Sequence, residues 1–281
     1  MTTAGSTPSI WDSRVLDPGA VLLTDRIAVV TGAAQGIGKA TALTLARFGA
    51  ELAICDRNAA GLDETEAEIR AIGRHCVSEV LDVRDEVAVG AFIDRVSREY
   101  GRIDILVNNA GGGFWAPFLE VATKGELALI RENFVSVTLF IRSCVPHMTN
   151  GGAIVNITSV EAHRAGPGFA IYSAMKAGVA NLSKSLSMEL ASKRIRVNCV
   201  APDVIPTPGD SVLSETSSAL SLDAVESQPW PETGSSYDCA AAVVYLASDM
   251  ARFVTGSTVH LDGGTWAAAG WKAKKDGGFT L

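Results

Sequence analysis

Short runs of β-branched and apolar residues alternate along the chain with longer stretches whose apolar positions recur every three or four residues. Arg26-Ile-Ala-Val-Val-Thr31 is a run of the first kind and stops at glycines, whereas Ile37 to Phe48 repeats apolar residues at helical spacing. The pattern predicts further strands over residues 51–55, 75–81, 103–108, 153–158, 195–201 and 258–261. It predicts helices over residues 58–72, 86–100, 123–148, 172–190 and 235–246. Strands that alternate with helices imply βαβ units, right-handed crossovers and a parallel sheet covered on both faces, an α/β fold. The chain carries no repeat of fixed period and no low-complexity tract.

Three segments fall outside this rhythm. Residues 1–24 are rich in Ser, Thr, Gly and Pro without periodicity, and read as an arm preceding a domain over residues 25–264. Residues 203–232 carry many prolines and serines with a weak helical pattern. A long irregular stretch inside a compact domain reads as a lid over a substrate pocket or as a surface insertion, and the lid is favoured. Residues 265–281 form a tail with Trp266 and Trp271, which packs on a neighbouring subunit, closes over the pocket or frays.

Composition narrows the partners. A formal net charge of -7 supplies no basic field, so neither nucleic acid nor a membrane is expected as a partner. No stretch approaches the length of a transmembrane span, and the N-terminus lacks a secretory pattern. The 5 cysteines are scattered and form no Cys-x-x-Cys pair, which fits a soluble, reduced, cytoplasmic protein. The 4 histidines share no ligand spacing with acidic residues, and no metal is expected.

Candidate chemistry begins at Tyr172-Ser-Ala-Met-Lys176. Positions i and i+4 of a helix share a face about 5–6 Å apart, so a phenol and an ammonium would stand side by side. A neighbouring cation favours the phenolate, which fits Tyr172 to give and take a proton near neutral pH. The second signal is Thr31-Gly-Ala-Ala-Gln-Gly-Ile-Gly38, placed between a predicted strand and a helix. Glycines there permit a tight turn and close approach of backbone to a pyrophosphate, which the helix N-terminus attracts. Asp56, at the end of the second strand, would accept hydrogen bonds from a ribose diol and repel a 2′-phosphate, favouring NAD over NADP. Arg57 beside it stacks on adenine, pairs with a phosphate or is simply solvated.

In joint order and spacing these pieces resemble the short-chain dehydrogenase/reductase family. The resemblance runs from Asp25 to Gly264 and also includes Asp82-Val83, Asn108-Asn-Ala-Gly111, Asn133, Gly152-Ala-Ile-Val-Asn-Ile-Thr-Ser159, Arg196-Val-Asn-x-Val-x-Pro202 and Asp262-Gly-Gly264. It implies one Rossmann-type, doubly wound parallel sheet of about seven strands, helices on both faces, and a homotetramer or homodimer. It gives Tyr172 the role of acid and base. Lys176 would lower the tyrosine's pKa and hold the nicotinamide ribose, Ser159 would bind the substrate oxygen, and Asn133 would hold a water in a proton relay. Gly32, Gln35, Gly36, Ile37 and Gly38 would surround the phosphates. Asp56, Arg57, Asp82 and Val83 would meet the adenosine, and Asn109, Ala110 and Gly111 the nearby ribose, while Ile205 and Thr207 would touch the nicotinamide amide.

The chain departs from the family pattern where Pro202-Asp203 replaces the usual Pro-Gly, and where Glu232 takes the usual arginine position. The expected substrate pocket gathers Phe114, Trp115, Ser159, Glu161, Tyr172 and Trp230. Its largely apolar character predicts a bulky hydrophobic secondary alcohol or ketone, terpenoid- or steroid-like, and Glu161 keeps a polar or acyl-carrying substrate open. Two alternatives stand beside this NAD-dependent dehydrogenase. One is an NADPH-dependent carbonyl or acyl-group ketoreductase, and the other a non-catalytic dinucleotide-binding sensor.

Overall fold

The structure is a computed structural model that describes residues 16–203, 205–208, 228–273 and 278–280. Seven parallel strands form its sheet: β1 (Ile27–Thr31), β2 (Glu51–Asp56), β3 (Cys76–Val80), β4 (Ile105–Asn108), β5 (Gly152–Ile157), β6 (Ile195–Pro202) and β7 (Thr258–Leu261). Their order is β3-β2-β1-β4-β5-β6-β7, so the chain changes direction of winding between β1 and β4. Ala28 pairs with Leu52 on one side and Ile105 on the other. In an open α/β sheet a ligand crevice lies beyond the carboxyl ends of the strands at such a reversal. Here that point sets the glycine turn after β1 beside Asn109, which follows β4.

The strands read as near-continuous apolar runs because both faces are covered, and their alternation sorts side chains between two cores. Ala28 and Val30 join one core with Leu52 and Ile54. Three helices close that face: α1 (Gly36–Arg47), α2 (Ala59–Ala71) and, late in the chain, Ser236–Ala247. Ile27 and Val29 point the other way, with Leu106 and Ile154, toward α3 (Glu86–Tyr100), a helix over Ser136–Cys144 and another over Ala170–Glu189. Phe92 and Phe140, each 1% exposed, fill that second core, and burying a phenylalanine contributes about 1.5–3 kcal/mol. Helix ends follow local chemistry. Asp85 caps α3 through the N–H groups of Val87 and Ala88, and Gly101 ends it in a left-handed turn. Ser235 and Asp238 form a reciprocal capping box at the late helix.

The continuous helix predicted over residues 123–148 is not one helix. It divides into α4 (Thr123–Ile130), a π-helical turn at Arg131–Val135 and α5 (Ser136–Cys144), and ends in a 3-10 turn at Val145–His147 that contains Pro146. Apolar periodicity does not register a single wider turn, and such turns recur at functional sites. The Ala170–Glu189 helix is α6, and Ser236–Ala247 is α7.

Leu23, within the stretch read as an arm, is 1% exposed, and its N–H donates to Phe48 O at 2.7 Å. Most of the proposed lid, including residues 204 and 209–227, lies outside the described residues. The tail forms a short helix at Thr265–Ala268 and an antiparallel pairing of Lys272–Ala273 with Phe279–Thr280. All 5 cysteines are free and buried. Among the described residues no helix is long and apolar enough to cross a membrane, and no group of three or more His, Cys, Asp or Glu could hold a metal ion.

Candidate active site

At the carboxyl end of β1 the chain turns back through Gly32 (φ 67°) and Gly36 (φ 56°), left-handed conformations that glycine adopts without a Cβ penalty. The turn leaves room for nothing larger. A Cβ on Gly38 would lie 1.9 Å from Gly32 O, and one on Gly32 2.9 Å from Ala110 Cα. Thr31 fastens this turn to the neighbouring strand: its hydroxyl accepts from the N–H groups of Asn109 at 3.0 Å and Ala110 at 2.9 Å. Asn109 Nδ2 in turn donates to Thr31 O and Gly32 O, both at 3.1 Å. The α1 N-terminus has no side-chain cap at Gln35, which is exposed, so its leading N–H groups face outward beside Gly36, Ile37 and Gly38. An uncapped helix start behind a glycine turn is a phosphate cradle. Thr207 stands across it, with Cβ 3.2 Å from where a Gly36 Cβ would be, and Ile205, 7% exposed, packs beneath against Gly234.

Asp56 ends β2 at the rim of this cradle, where its two oxygens accept from Ala34 N at 3.1 Å and Asn58 N at 2.9 Å. These bonds fix the carboxylate beside the glycine turn, the position expected for reading a ribose. Arg57 beside it lies 3.8 Å from Glu132. Asp82 is bound by Arg84, whose hydrogen bonds hold its carboxyl below the usual carboxylate range, and Val83 is buried. The cradle, the fixed acid and the apolar floor fit a dinucleotide.

The second half of the site lies beyond β4 and β5. Tyr172 and Lys176 stand one turn apart on α6, with Lys176 Nζ 5.6 Å from the centroid of the Tyr172 ring. Lys176 is 5% exposed and donates to Ile157 O at 2.9 Å. Burial pulls its pKa from 10.5 down to about 8, because a desolvated ammonium is less favoured than a neutral amine. Asn133 occupies the π-helical turn and is fully buried, donating to Gly112 O at 2.8 Å and Leu129 O at 3.1 Å and accepting from Gly112 N at 3.2 Å. The wider turn aims Asn133 at the loop after β4. Gly111 lets that loop pass: a Cβ there would lie 2.8 Å from Asn133 Oδ1 and 3.2 Å from Lys176 Nζ. Gly113 continues over the face of Tyr172, and Phe169 meets its ring edge-on at 6.3 Å.

Ser159, 6% exposed, begins the turn after β5 and donates to Glu161 Oε2 at 2.5 Å while accepting from Glu161 N at 3.3 Å. Glu161 Oε1 lies 3.5 Å from Arg164, which pairs more closely with Asp203 at 2.8 Å. Asp203, standing where the family pattern has glycine, also accepts a hydrogen bond from Thr265 Oγ1. Its departure from the pattern thus has a structural use, since it ties the turn after β6 to the serine loop. Arg164 and Thr265 were not legible as site residues, and only the missing glycine at Asp203 signalled them. His163, whose pKa burial lowers, sits 4.7 Å from His260, which stacks on Trp266.

Of the six expected pocket residues, Ser159 and Glu161 are hydrogen-bonded to each other, and Tyr172 lies beside Gly113 and Phe169. Phe114 lines a small hollow of about 10 Å³ with Phe118, Leu129, Phe169 and Ile171. Trp115 closes on Gly168, whose Cβ would lie 2.1 Å from the indole nitrogen. Trp230 is 61% exposed and sits on the turn at Gly263, to whose carbonyl it donates at 2.9 Å.

Residues 32–265 match the family described as enoyl-(acyl carrier protein) reductase. A 3-oxoacyl-[acyl-carrier-protein] reductase of Thermotoga maritima is 36% identical over 244 residues, 86% of this chain and 98% of that protein. A cis-4-hydroxycyclohexanecarboxylate dehydrogenase of Sinomonas cyclohexanicum is 37% identical over 243 residues, 85% of this chain and 96% of that one. Among solved structures, a 7α-hydroxysteroid dehydrogenase complexed with NADH and 7-oxo glycochenodeoxycholic acid superposes with a TM-score of 0.84 at 30% identity, covering 89% of this chain and 98% of that one. Through the matched family and these relatives, the chain belongs to the short-chain dehydrogenase/reductase family and is an NAD(P)-dependent oxidoreductase acting on CH-OH groups.

Proposed function

We propose that the chain is an NAD-dependent dehydrogenase that oxidises a bulky, largely hydrophobic secondary alcohol to the ketone, and that it works as a cytoplasmic homotetramer or homodimer. The observation that carries the reading is Lys176, desolvated to 5% exposure within reach of both Tyr172 and the Asn133 turn. A buried cation at that position suits a neighbouring group that must become an anion.

The chemistry supplied by a bound nicotinamide is acceptance of a hydride from the carbinol carbon, or its return. The chain's own residues manage the proton. Tyr172 Oη takes it from the alcohol hydroxyl, and the Lys176 ammonium stabilises the phenolate that makes this possible. Ser159 fixes the substrate oxygen beside the tyrosine. Asn133 holds Gly112 and, with Lys176, a water through which the proton reaches solvent. Lys176 also binds the nicotinamide ribose hydroxyls, and Asn109, Ala110 and Gly111 line the space beside them.

Asp56 supports NAD over NADP, because a carboxylate fixed at the ribose rim repels a 2′-phosphate. The hydroxysteroid dehydrogenase seen with NADH supports a hydrophobic ring substrate. A second reading, an acyl-group ketoreductase using NADPH, draws on the Thermotoga maritima relative and on Arg57 and Arg84 near the same rim. Tyr172→Phe tests the assignment. Turnover of secondary alcohols with NAD should fall about 10²–10⁴-fold, while NADH binding by fluorescence titration stays the same. Retained turnover would remove Tyr172 as the acid and base. NADPH binding more tightly than NADH would favour the second reading.

A further inference from the structure

Ser159 and Glu161 present a conflict of hydrogen bonding. A serine hydroxyl has one hydrogen, and Ser159 gives it to the Glu161 carboxylate at 2.5 Å. Its oxygen also accepts from Glu161 N at 3.3 Å. While that hydrogen rests on Glu161, Ser159 cannot donate to a substrate oxygen. Hydrogen bonds to a carboxylate are stronger than those to a neutral carbonyl, so a plain ketone or alcohol competes poorly for it.

The carboxylate itself is short of partners. Arg164 is shared between two acids and lies nearer Asp203, at 2.8 Å, than Glu161, at 3.5 Å. Asp203 is only 10% exposed in its side chain and is held further by Thr265, so the guanidinium is anchored on the far side. Two acids on one base leave a net negative charge, and Glu161, with 26% of its side chain exposed, is the more accessible of the two acids. What that position accepts is a hydrogen-bond donor.

We infer that Glu161 reads the substrate: the chain selects secondary alcohols that carry a hydroxyl on the carbon next to the carbinol, or the corresponding α-hydroxy ketones. The second hydroxyl replaces Ser159 as donor to Glu161, and Ser159 turns its hydrogen to the reacting oxygen. The two oxygens of a gauche vicinal diol lie about as far apart as two hydrogen-bonded oxygens, so they match the adjacent Ser159 donor and Glu161 acceptor. Anionic substrates are disfavoured by the same negative charge. This inference rests on the alcohol-oxidising reading of the site.

The test compares kcat/KM with NAD for cyclohexanol against cis- and trans-1,2-cyclohexanediol, and for 2-decalol against 2,3-decalindiol, in the unaltered chain, Glu161→Gln and Glu161→Ala. NADH binding reports that each variant is folded. The expected result is a preference for one diol over its mono-alcohol of about tenfold or more in the unaltered chain. That preference should shrink in Glu161→Gln and vanish in Glu161→Ala. No preference for a diol, or a preference that survives Glu161→Ala, overturns the inference and leaves alcohol oxidation standing. If no alcohol of either kind turns over with NAD, the underlying reading fails and the inference with it.

Discussion

Lys176→Met separates what the buried ammonium does for the reaction from what it does to the fold. In the folded chain the lysine's pKa is pulled from 10.5 to about 8, so between those values the unfolded chain binds more protons than the folded one. Stability therefore rises with pH across that window. The burden of keeping the ammonium buried is about 3 kcal/mol at pH 7 and about 1 kcal/mol at pH 10. Methionine removes the titration but leaves Ile157 O without its donor, a loss of about 1–3 kcal/mol that does not depend on pH. The quantity to measure is consequently a difference of differences. Urea unfolding of both chains without nucleotide, at pH 7 and pH 10, should show the variant losing about 2 kcal/mol relative to the unaltered chain between the two conditions. Turnover should be lost throughout. A stability gap that is the same at both pH values would refute the claim that Lys176 is held as a desolvated cation, and with it the electrostatic account of Tyr172.

Two further substitutions probe the nucleotide end. Gly38→Ala places a Cβ 1.9 Å from Gly32 O, so the turn must open and NADH affinity should fall about tenfold or more; unchanged binding in fluorescence titration would mean the cradle lies elsewhere. Asp56→Ser removes the charge facing the ribose and should lower the preference for NADH over NADPH by about tenfold. The ratio is the informative readout, because loss of the bond to Ala34 N weakens both nucleotides alike. A constant ratio would assign cofactor choice to another residue.

Whatever depends on near neighbours in the chain was legible in the order of the residues. Alternating apolar runs placed the strands within a residue or two, because burial on both faces of a parallel sheet leaves little choice of residue. The glycines of the first turn were legible because left-handed backbone and close packing exclude a Cβ. Tyr172 and Lys176 were legible because a helix sets their spacing. Tertiary structure decided the rest. The predicted helix over residues 123–148 hid a π-helical turn, since one wider turn barely disturbs the apolar pattern, yet that turn carries Asn133 to Gly112. Arg164 and Asp203 meet across 39 positions of chain, and no local pattern announces such a pair. Lys176 reads in the sequence as a charge and becomes, under the packed ends of β5 and β6, a desolvated one. Periodicity records what a residue's own element requires of it; burial and pairing depend on which other elements arrive, and only the fold brings those together.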